Sequence, residues 1–393
     1  AVSTNTAVGA SALAANTTGS YNAALGSGAG QANTTGIQST FVGGLAGGQN
    51  TTGSITAVGY GALYGNTTGT RNVAVGHNDG TGYGAALQAN TTGGSNTAVG
   101  VSALTSNTTG NYNTAIGQQA LNANTTASNN TAVGYQAGYS NTTGPRITAV
   151  GYRAAYSAAA GYVTALGYDA AYSSTGNTDV VAIGAQSAYS TTTGAYGVSL
   201  GVQSLYANTT GNYNTALGTQ ALYSNTTASN NTAVGYQALY SNTTGSTNDA
   251  FGYKALYANT TGGGNAAFGR ETLTTNTTGN NNTAVGNGSL AFNTTGYSNT
   301  SIGFLAGYNT TTGAENVFVG HYAGYTGTTA FANTFLGRYA GYSTTGSYNA
   351  FIGYGSGQLI TTGSKNTVVG SFNGNQGGLD IRTLSNRIVL SDG

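Results

Sequence analysis

"NTALGTQALYSNTTASNNTAVGYQALYSNTTG", from Asn214 to Gly245, states one seventeen-residue phrase nearly twice. Segments of an enzyme diverge because each builds a different wall of a pocket. Copies of one segment build length, so the period is established first. The phrase centres on a small–large–Gly triplet. Its glycine recurs in steps of seventeen at Gly201, Gly218, Gly235, Gly252, Gly269, Gly286, Gly303, Gly320 and Gly337, then continues to Gly353 and Gly370. Upstream it runs through Gly9, Gly26, Gly43, Gly59, Gly76, Gly100, Gly117, Gly134, Gly151, Gly167 and Gly184. Of these twenty-two copies, one is longer by a step of twenty-four, from Gly76 to Gly100. Its surplus, about residues 77–88, reads as a loop inserted on one coil. The copies form a single array over residues 1–370, with a strand-rich cap or junction at 371–393.

Each copy reads N-T-A-V-G-x-x-A-L-Y-x-N-T-T-G-x-x, numbered here one to seventeen. Position four is large and apolar throughout: Val8, Leu25, Val42, Ile116, Phe251, Phe268, Ile302, Leu336. Position three is small in most copies (Ala7, Ala57, Ala98, Ala132, Ala216) and becomes Phe318, Phe335 and Phe351 towards the end. Successive strand residues point to opposite faces, so both faces of N-T-A-V-G are covered. The glycine at five suits a positive φ or a close backbone approach. A-L-Y then supplies a second short segment, and N-T-T-G a tight turn. The reach between Gly and N-T-T-G is under two helical turns, which leaves little room for more than a short helical turn at A-L-Y. The expected fold is all-β, a parallel β-solenoid of about twenty-two coils. At ~4.8 Å per coil this is a rod of roughly 105 Å.

Composition agrees with a shaft more than with a catalyst. Only 4% of the 393 residues are charged and the net charge is +1, so no basic patch can release counterions from nucleic-acid phosphates. Disorder normally carries high charge and few aromatics; this chain has 29 Tyr and 10 Phe. There is no Cys, so disulfides and thiolate metal sites are out. No apolar run approaches the ~20 residues of a membrane helix. The chain opens inside a repeat at Ala1 and ends in "LSDG", which reads as a portion of something longer.

The triplet with its downstream Ala resembles the left-handed parallel β-roll in the heads of trimeric autotransporter adhesins, with each coil extended by about three residues at N-T-T-G. The full phrase is also similar to shafts of phage tail fibres and bacterial surface proteins that end in an endosialidase-type intramolecular chaperone. "GNQGGLDIRTLSNRIVLSDG", Gly374 to Gly393, looks like the segment ahead of that chaperone. The resemblance implies homotrimers and an extracellular setting. A residue argument points the same way. With position four filling the coil's own core, the Ala row at position three lies on the other face, and an apolar stripe is rarely left wet. A parallel oligomer or filament packing would cover it; the alternative is that both rows sit inside one thick coil. Position four as core also predicts that Val234→Asp or Leu217→Asp breaks the stack.

The acids Asp79, Asp169, Asp179, Asp249, Glu271, Glu315, Asp380 and Asp392 do not recur with the period, so no pair is brought together for acid–base work, and no metal or cofactor is expected. His77 and His321 lie many coils apart and read as outward substitutions. Tyrosines recur at position six (Tyr135, Tyr152, Tyr168, Tyr236, Tyr253) and at position ten (Tyr139, Tyr156, Tyr172, Tyr189, Tyr206, Tyr223, Tyr240, Tyr257), spaced for ring stacking or for a sugar-binding stripe. N-T-T occurs at Asn16, Asn33, Asn50, Asn66, Asn90, Asn107, Asn124, Asn141, Asn208, Asn225, Asn242, Asn259, Asn276, Asn293 and Asn309. Each is formally an N-glycosylation acceptor, or else a rung of an Asn/Thr ladder. An ice-binding reading needs a flat T-x-T face, whereas these Thr pairs are adjacent. The expected function is a non-catalytic fibre or filament shaft; the rival is a carbohydrate- or ice-binding solenoid.

Overall fold

In the computed structural model, which describes residues 4–159, 161–176 and 179–391, each of the twenty-two copies contributes one strand of three or four residues ending at position four. The strands are short because the glycine at position five turns the chain at once: φ is +135° at both Gly218 and Gly235. An added Cβ at Gly218 would sit 2.5 Å from the carbonyl oxygen of Gly235, so the column tolerates only glycine for two separate reasons. Successive strands pair in parallel and in register, with Thr215 opposite Thr232, Ala216 opposite Ala233 and Leu217 opposite Val234. There is no helix among the described residues, and the fold is a parallel β-solenoid with a coil of about seventeen residues.

The chain divides into two units, Ala1–Tyr196 and Gly197–Gly393. The first stacks eleven strands from Thr6–Val8 to Val180–Ile183. Its long copy keeps register across the insertion, Val73 opposite Thr97, while residues 77–84 form a loop that is mostly exposed. The second unit stacks the next eleven, from Gly197–Leu200 to Thr367–Val369. The C-terminal segment then adds a short hairpin, Asn375–Gln376 against Leu379–Asp380, and returns Ile388–Leu390 parallel to Thr367–Val369 as a further rung.

A-L-Y is neither a second strand nor a helical turn. Positions seven, nine and seventeen are left-handed: φ is +58° at Gln220, +52° at Leu222 and +59° at Asn230. Inserting left-handed residues among right-handed ones stops the chain from coiling into a helix and shares its N–H groups between two jobs. Ala221 and Asn225 donate within the coil to Gly218 and Leu222, whereas Leu222 and Ser224 donate to Ala238 and Tyr240 of the next coil. A leucine in this conformation costs about 1–2 kcal/mol. Complete burial of Leu222 and its inter-coil bond offset that cost.

The two faces of the strand are the reverse of the sequence expectation. Position three is the core: Ala57, Ala98, Ala132, Ala216 and Ala233 are fully buried. Position four points outward, with Val8 at 56%, Leu25 at 54%, Ile116 at 41% and Leu336 at 46% exposure. The Ala row is therefore not a surface stripe awaiting a partner, and Val234 and Leu217 are not core residues whose replacement by Asp would bury a charge. The reason is volume. The interior is one side chain thick, and Leu222 or Leu239 at position nine already fills it opposite the Ala. Where position three grows to Phe41, Phe318, Phe335 or Phe351, position nine shrinks to Gly47, Gly324, Gly341 or Gly357. A Cβ on Gly324 would lie 2.5 Å from the Phe318 ring. Around Ala155 and Ala171 the same volume is supplied from position one, by the buried Ile147, Val163 and Val180. Protein interiors are close-packed, so most coils carry one such large residue; Ala24–Gly30, Ala132–Gly138 and Ser301–Gly307 carry none, and the side chains of adjoining coils reach over their glycines, as Leu121 does at Gly138.

Candidate functional site

The columns of like residues are the chemically distinctive feature, and the N-T-T asparagines form the most regular of them. Thirteen, from Asn33 to Asn141 and from Asn208 to Asn293, are buried. The amide of Asn225 donates to Asn208 Oδ1 at 2.8 Å and to the Ala228 carbonyl at 3.1 Å, while its own Oδ1 accepts from Asn242 at 2.9 Å. Asn33, Asn50 and Asn66 repeat the pattern in the first unit. A folded coil presents none of these Nδ2 atoms to a glycosyl donor, because each is enclosed and already donates to the backbone carbonyl three residues on. Asn16, in the first coil, is half-buried, and Asn309 stands elsewhere altogether. In "YNTTTG" the extra Thr moves Asn309 to position eleven and puts the buried Thr310 in the ladder's place. Asn293 Oδ1 and Thr310 Oγ1 consequently have no hydrogen-bond partner.

A second asparagine column, at position one, was legible only as a repeat letter. Asn96, Asn113, Asn231, Asn248, Asn265 and Asn282 are buried, and each Oδ1 accepts the backbone N–H of the next position-one residue, as Asn248 does from Asn265 at 3.0 Å. Their amides meet the same carbonyl that the first ladder holds: Asn214 and Asn225 both donate to Ala228. Two amides thus clamp one carbonyl in every such coil. The first Thr of N-T-T adds a third link, Thr226 Oγ1 donating to the Thr243 carbonyl at 3.1 Å, and the second Thr is exposed. Replacing Asn225 by Ala strands a donor on Asn242, an acceptor on Asn208 and half of the Ala228 clamp. At about 1–3 kcal/mol per unsatisfied buried group, we expect a loss of about 3 kcal/mol, read by chemical denaturation of the variant.

Position seven carries a further amide column, Gln136 to Gln119 at 2.8 Å and Gln237 to Gln220 at 2.9 Å. Between two such runs an ion pair takes over: Arg153 meets Asp169 through two hydrogen bonds of 2.9 and 2.8 Å. The guanidinium also lies 4.9 Å from the Tyr152 ring and 5.0 Å from that of Tyr172. The carboxylate and the two rings hold the Arg153 proton more tightly than usual.

The tyrosines stack. In the first unit Tyr139, Tyr156, Tyr172 and Tyr189 have centroids 4.9–5.1 Å apart, and in the second Tyr206, Tyr223, Tyr240 and Tyr257 are 5.1–5.2 Å apart. The position-six rings Tyr135, Tyr152 and Tyr168, and the pair Tyr236–Tyr253, stack at 5.2–5.6 Å and are exposed. Burial, followed by the neighbouring phenols, pushes the hydroxyls of Tyr156, Tyr240 and Tyr342 up. The fold therefore favours the neutral phenol. Its contribution is fully present below the unfolded value of about 10 and disappears as pH rises through the higher folded values. Melting temperatures recorded from pH 8 to 11.5 should stay flat to about 9.5 and then fall, with the ring-column variant Tyr240→Phe falling less.

The remaining candidates stay scattered. Asp380 pairs with Arg382 at 2.8 Å and Glu271 with Arg270 at 3.4 Å. Asp392 lies outside the described residues. His77 is exposed, whereas His321 is half-buried and stacks on Phe304 at 5.2 Å. Among the described residues no group of three or more His, Asp or Glu could hold a metal ion, and no helix is long and apolar enough to cross a membrane. No protein-family model and no curated protein matches the chain.

Proposed function

We propose that the chain is a non-catalytic extracellular shaft, part of a phage tail fibre or of a bacterial surface adhesin or filament, whose role is to extend and display what lies beyond it. The observation that carries this reading is the bonding of equivalent atoms from coil to coil at positions one, seven, twelve and thirteen, so that stability sums over neighbours along one axis. Chemistry at a single point needs none of this repetition; stiffness does.

Self-association is part of the proposal, through the outward position-four stripe and not through the alanines. Eleven coils of the second unit present Leu200, Phe251, Phe268, Ile302 and their equivalents over ~53 Å. A strip ~10 Å wide amounts to ~500 Å² per chain and ~1,000 Å² per pair, which meets the ~1,000 Å² floor for a biological interface. The occupant that matches such a long, regular, nearly uncharged strip is a second copy of the chain in parallel. Electron micrographs with mass per length should give an integral multiple of one chain. Leu200→Asp, Phe251→Asp and Ile302→Asp combined should return it to one chain with each coil intact. A native mass per length of a single chain sinks the association.

A second reading has one observation in its favour. Threonines at position two (Thr97, Thr114, Thr131, Thr148, Thr164) point outward beside Val99, Ile116, Val133, Val150 and Leu166 on parallel strands. This Thr-x-Val face lies on paired strands, unlike the adjacent Thr pairs of N-T-T, and suits ordered water or a polymer surface. Thermal hysteresis by the native chain, lost in Thr131→Tyr, would favour it over the shaft.

A further inference from the structure

In the second unit two neighbouring columns are bulky in most copies. Position seven holds Lys254, Glu271, Leu305 and Tyr322, and position ten holds Tyr257, Tyr308, Tyr325 and Tyr342. In the copy around Gly286 both shrink together, to Gly288 and Ala291. A cavity of about 250 Å³ opens at that rung. Gly288 and Ala291 form its floor, Glu271 and Thr274 of the preceding coil one end, and Tyr308 of the following coil the other. Phe292 stands at its side, 42% exposed, edge-on to Tyr308 with ring centroids 4.9 Å apart. The Oγ1 of Thr274 lies beneath that end, sealed from solvent and without a hydrogen bond, so the side chain meets the notch with its carbon atoms. On the far side of Phe292 a second cavity of about 470 Å³ is lined by threonine side chains and by Asn309, the residue that the extra Thr displaces from the ladder.

We propose that this notch binds one pyranose ring of a neutral oligosaccharide, with the next ring of the ligand crossing Phe292 into the threonine-lined cavity. The space is smaller than the ~300–1,000 Å³ of sites for drug-sized ligands and suits a single ring. Phe292 and Tyr308 offer apolar ring surface to the C–H face of a sugar. Hydroxyls on the opposite edge find the Glu271 carboxylate as acceptor. Arg270 pairs with Glu271 at 3.4 Å, so this edge carries no net charge and suits a neutral sugar. Specificity here arises from an interruption of the ring column: the stacked tyrosines rigidify the coils, and the missing rung makes the pocket.

The test is titration of the full chain with methyl gluco-, galacto- and mannopyranoside and the corresponding disaccharides, followed by saturation-transfer NMR. At least one should bind with Kd on the order of 1 mM, and its disaccharide more tightly. Ala291→Tyr extends the ring column from Tyr308 by one rung and closes the notch; it should keep or raise the melting temperature and abolish binding. Phe292→Ala, on the surface, gives the same reading should the first variant fold poorly. Glu271→Gln should weaken binding about tenfold. The proposal is overturned if none of these sugars binds, if an acidic sugar binds better, or if a folded Ala291→Tyr binds like the native chain.

Discussion

Ala233→Asp is expected to collapse its part of the stack, while Val234→Asp one residue later leaves the protein intact. Ala233 is fully buried, faces Leu239 across an interior one side chain thick, and lies in register between Ala216 and Ala250. A carboxylate there has no partner and no water, and an uncompensated buried charge costs about 3–5 kcal/mol. Because each coil is held by its neighbours, the damage should spread over the adjoining rungs and appear as a new protease-sensitive site. Val234 points away from that interior and is half exposed. Its replacement should change stability by about 0.5 kcal/mol or less, as for ordinary surface positions. Paired melting curves and limited proteolysis decide the matter. Equal damage from both, or the reverse order, would show that the two faces have been assigned the wrong way round.

Gly235→Val should be nearly as severe, for a different reason. Its φ of +135° belongs to a region reached almost only by glycine, and a non-glycine residue held in such a region costs about 1–3 kcal/mol. Any Cβ there would also press into the carbonyl of Gly252 in the next coil. Relief requires separating two rungs whose N–H and C=O groups are bonded, so the penalty should exceed ~3 kcal/mol. Gly235→Ala separates both of these from side-chain bulk. It carries the same backbone strain and the same first contact, and should lose most of what Val loses. A mild Ala variant beside a severe Val variant would point to side-chain bulk instead of the column itself.

The period was plain in the sequence because a fixed step between glycines has few physical meanings, and parallel in-register stacking is the simplest of them. Which face lies inside was not. Ala216 and Leu217 alternate correctly in any strand, and size alone favours Leu as core. What decides is the rest of the coil: Leu222 already occupies the interior, and Asn214 and Asn225 hold its polar end. The exchange of Phe318 with Gly324, against Ala233 with Leu239, was present in the letters and contains the answer, since two positions that trade volume must touch. Asparagine was harder. Asn is mostly exposed in proteins, so N-T-T alone leaves an exposed acceptor and a coil-to-coil ladder both open; burial decides for the ladder, whose last rung leaves Asn293 Oδ1 unpaired. The displacement of Asn309 was also in the sequence, but only counting from the glycine, and not from the tripeptide, reveals it.

In each unit the contacts of a copy are with its two neighbours, and equivalent rows hold interchangeable residues. Excising residues 231–247 would bring Ala216 level with Ala250, Leu217 with Phe251 and Asn214 with Asn248, the same kinds of partner they have now. Unequal crossing-over within the gene can therefore lengthen or shorten the protein by whole rungs without passing through a misfolded intermediate. Such a lineage adjusts its reach in units of one interstrand spacing, and the irregular rungs, those with Arg153 or Gly288, are the ones it cannot duplicate without consequence.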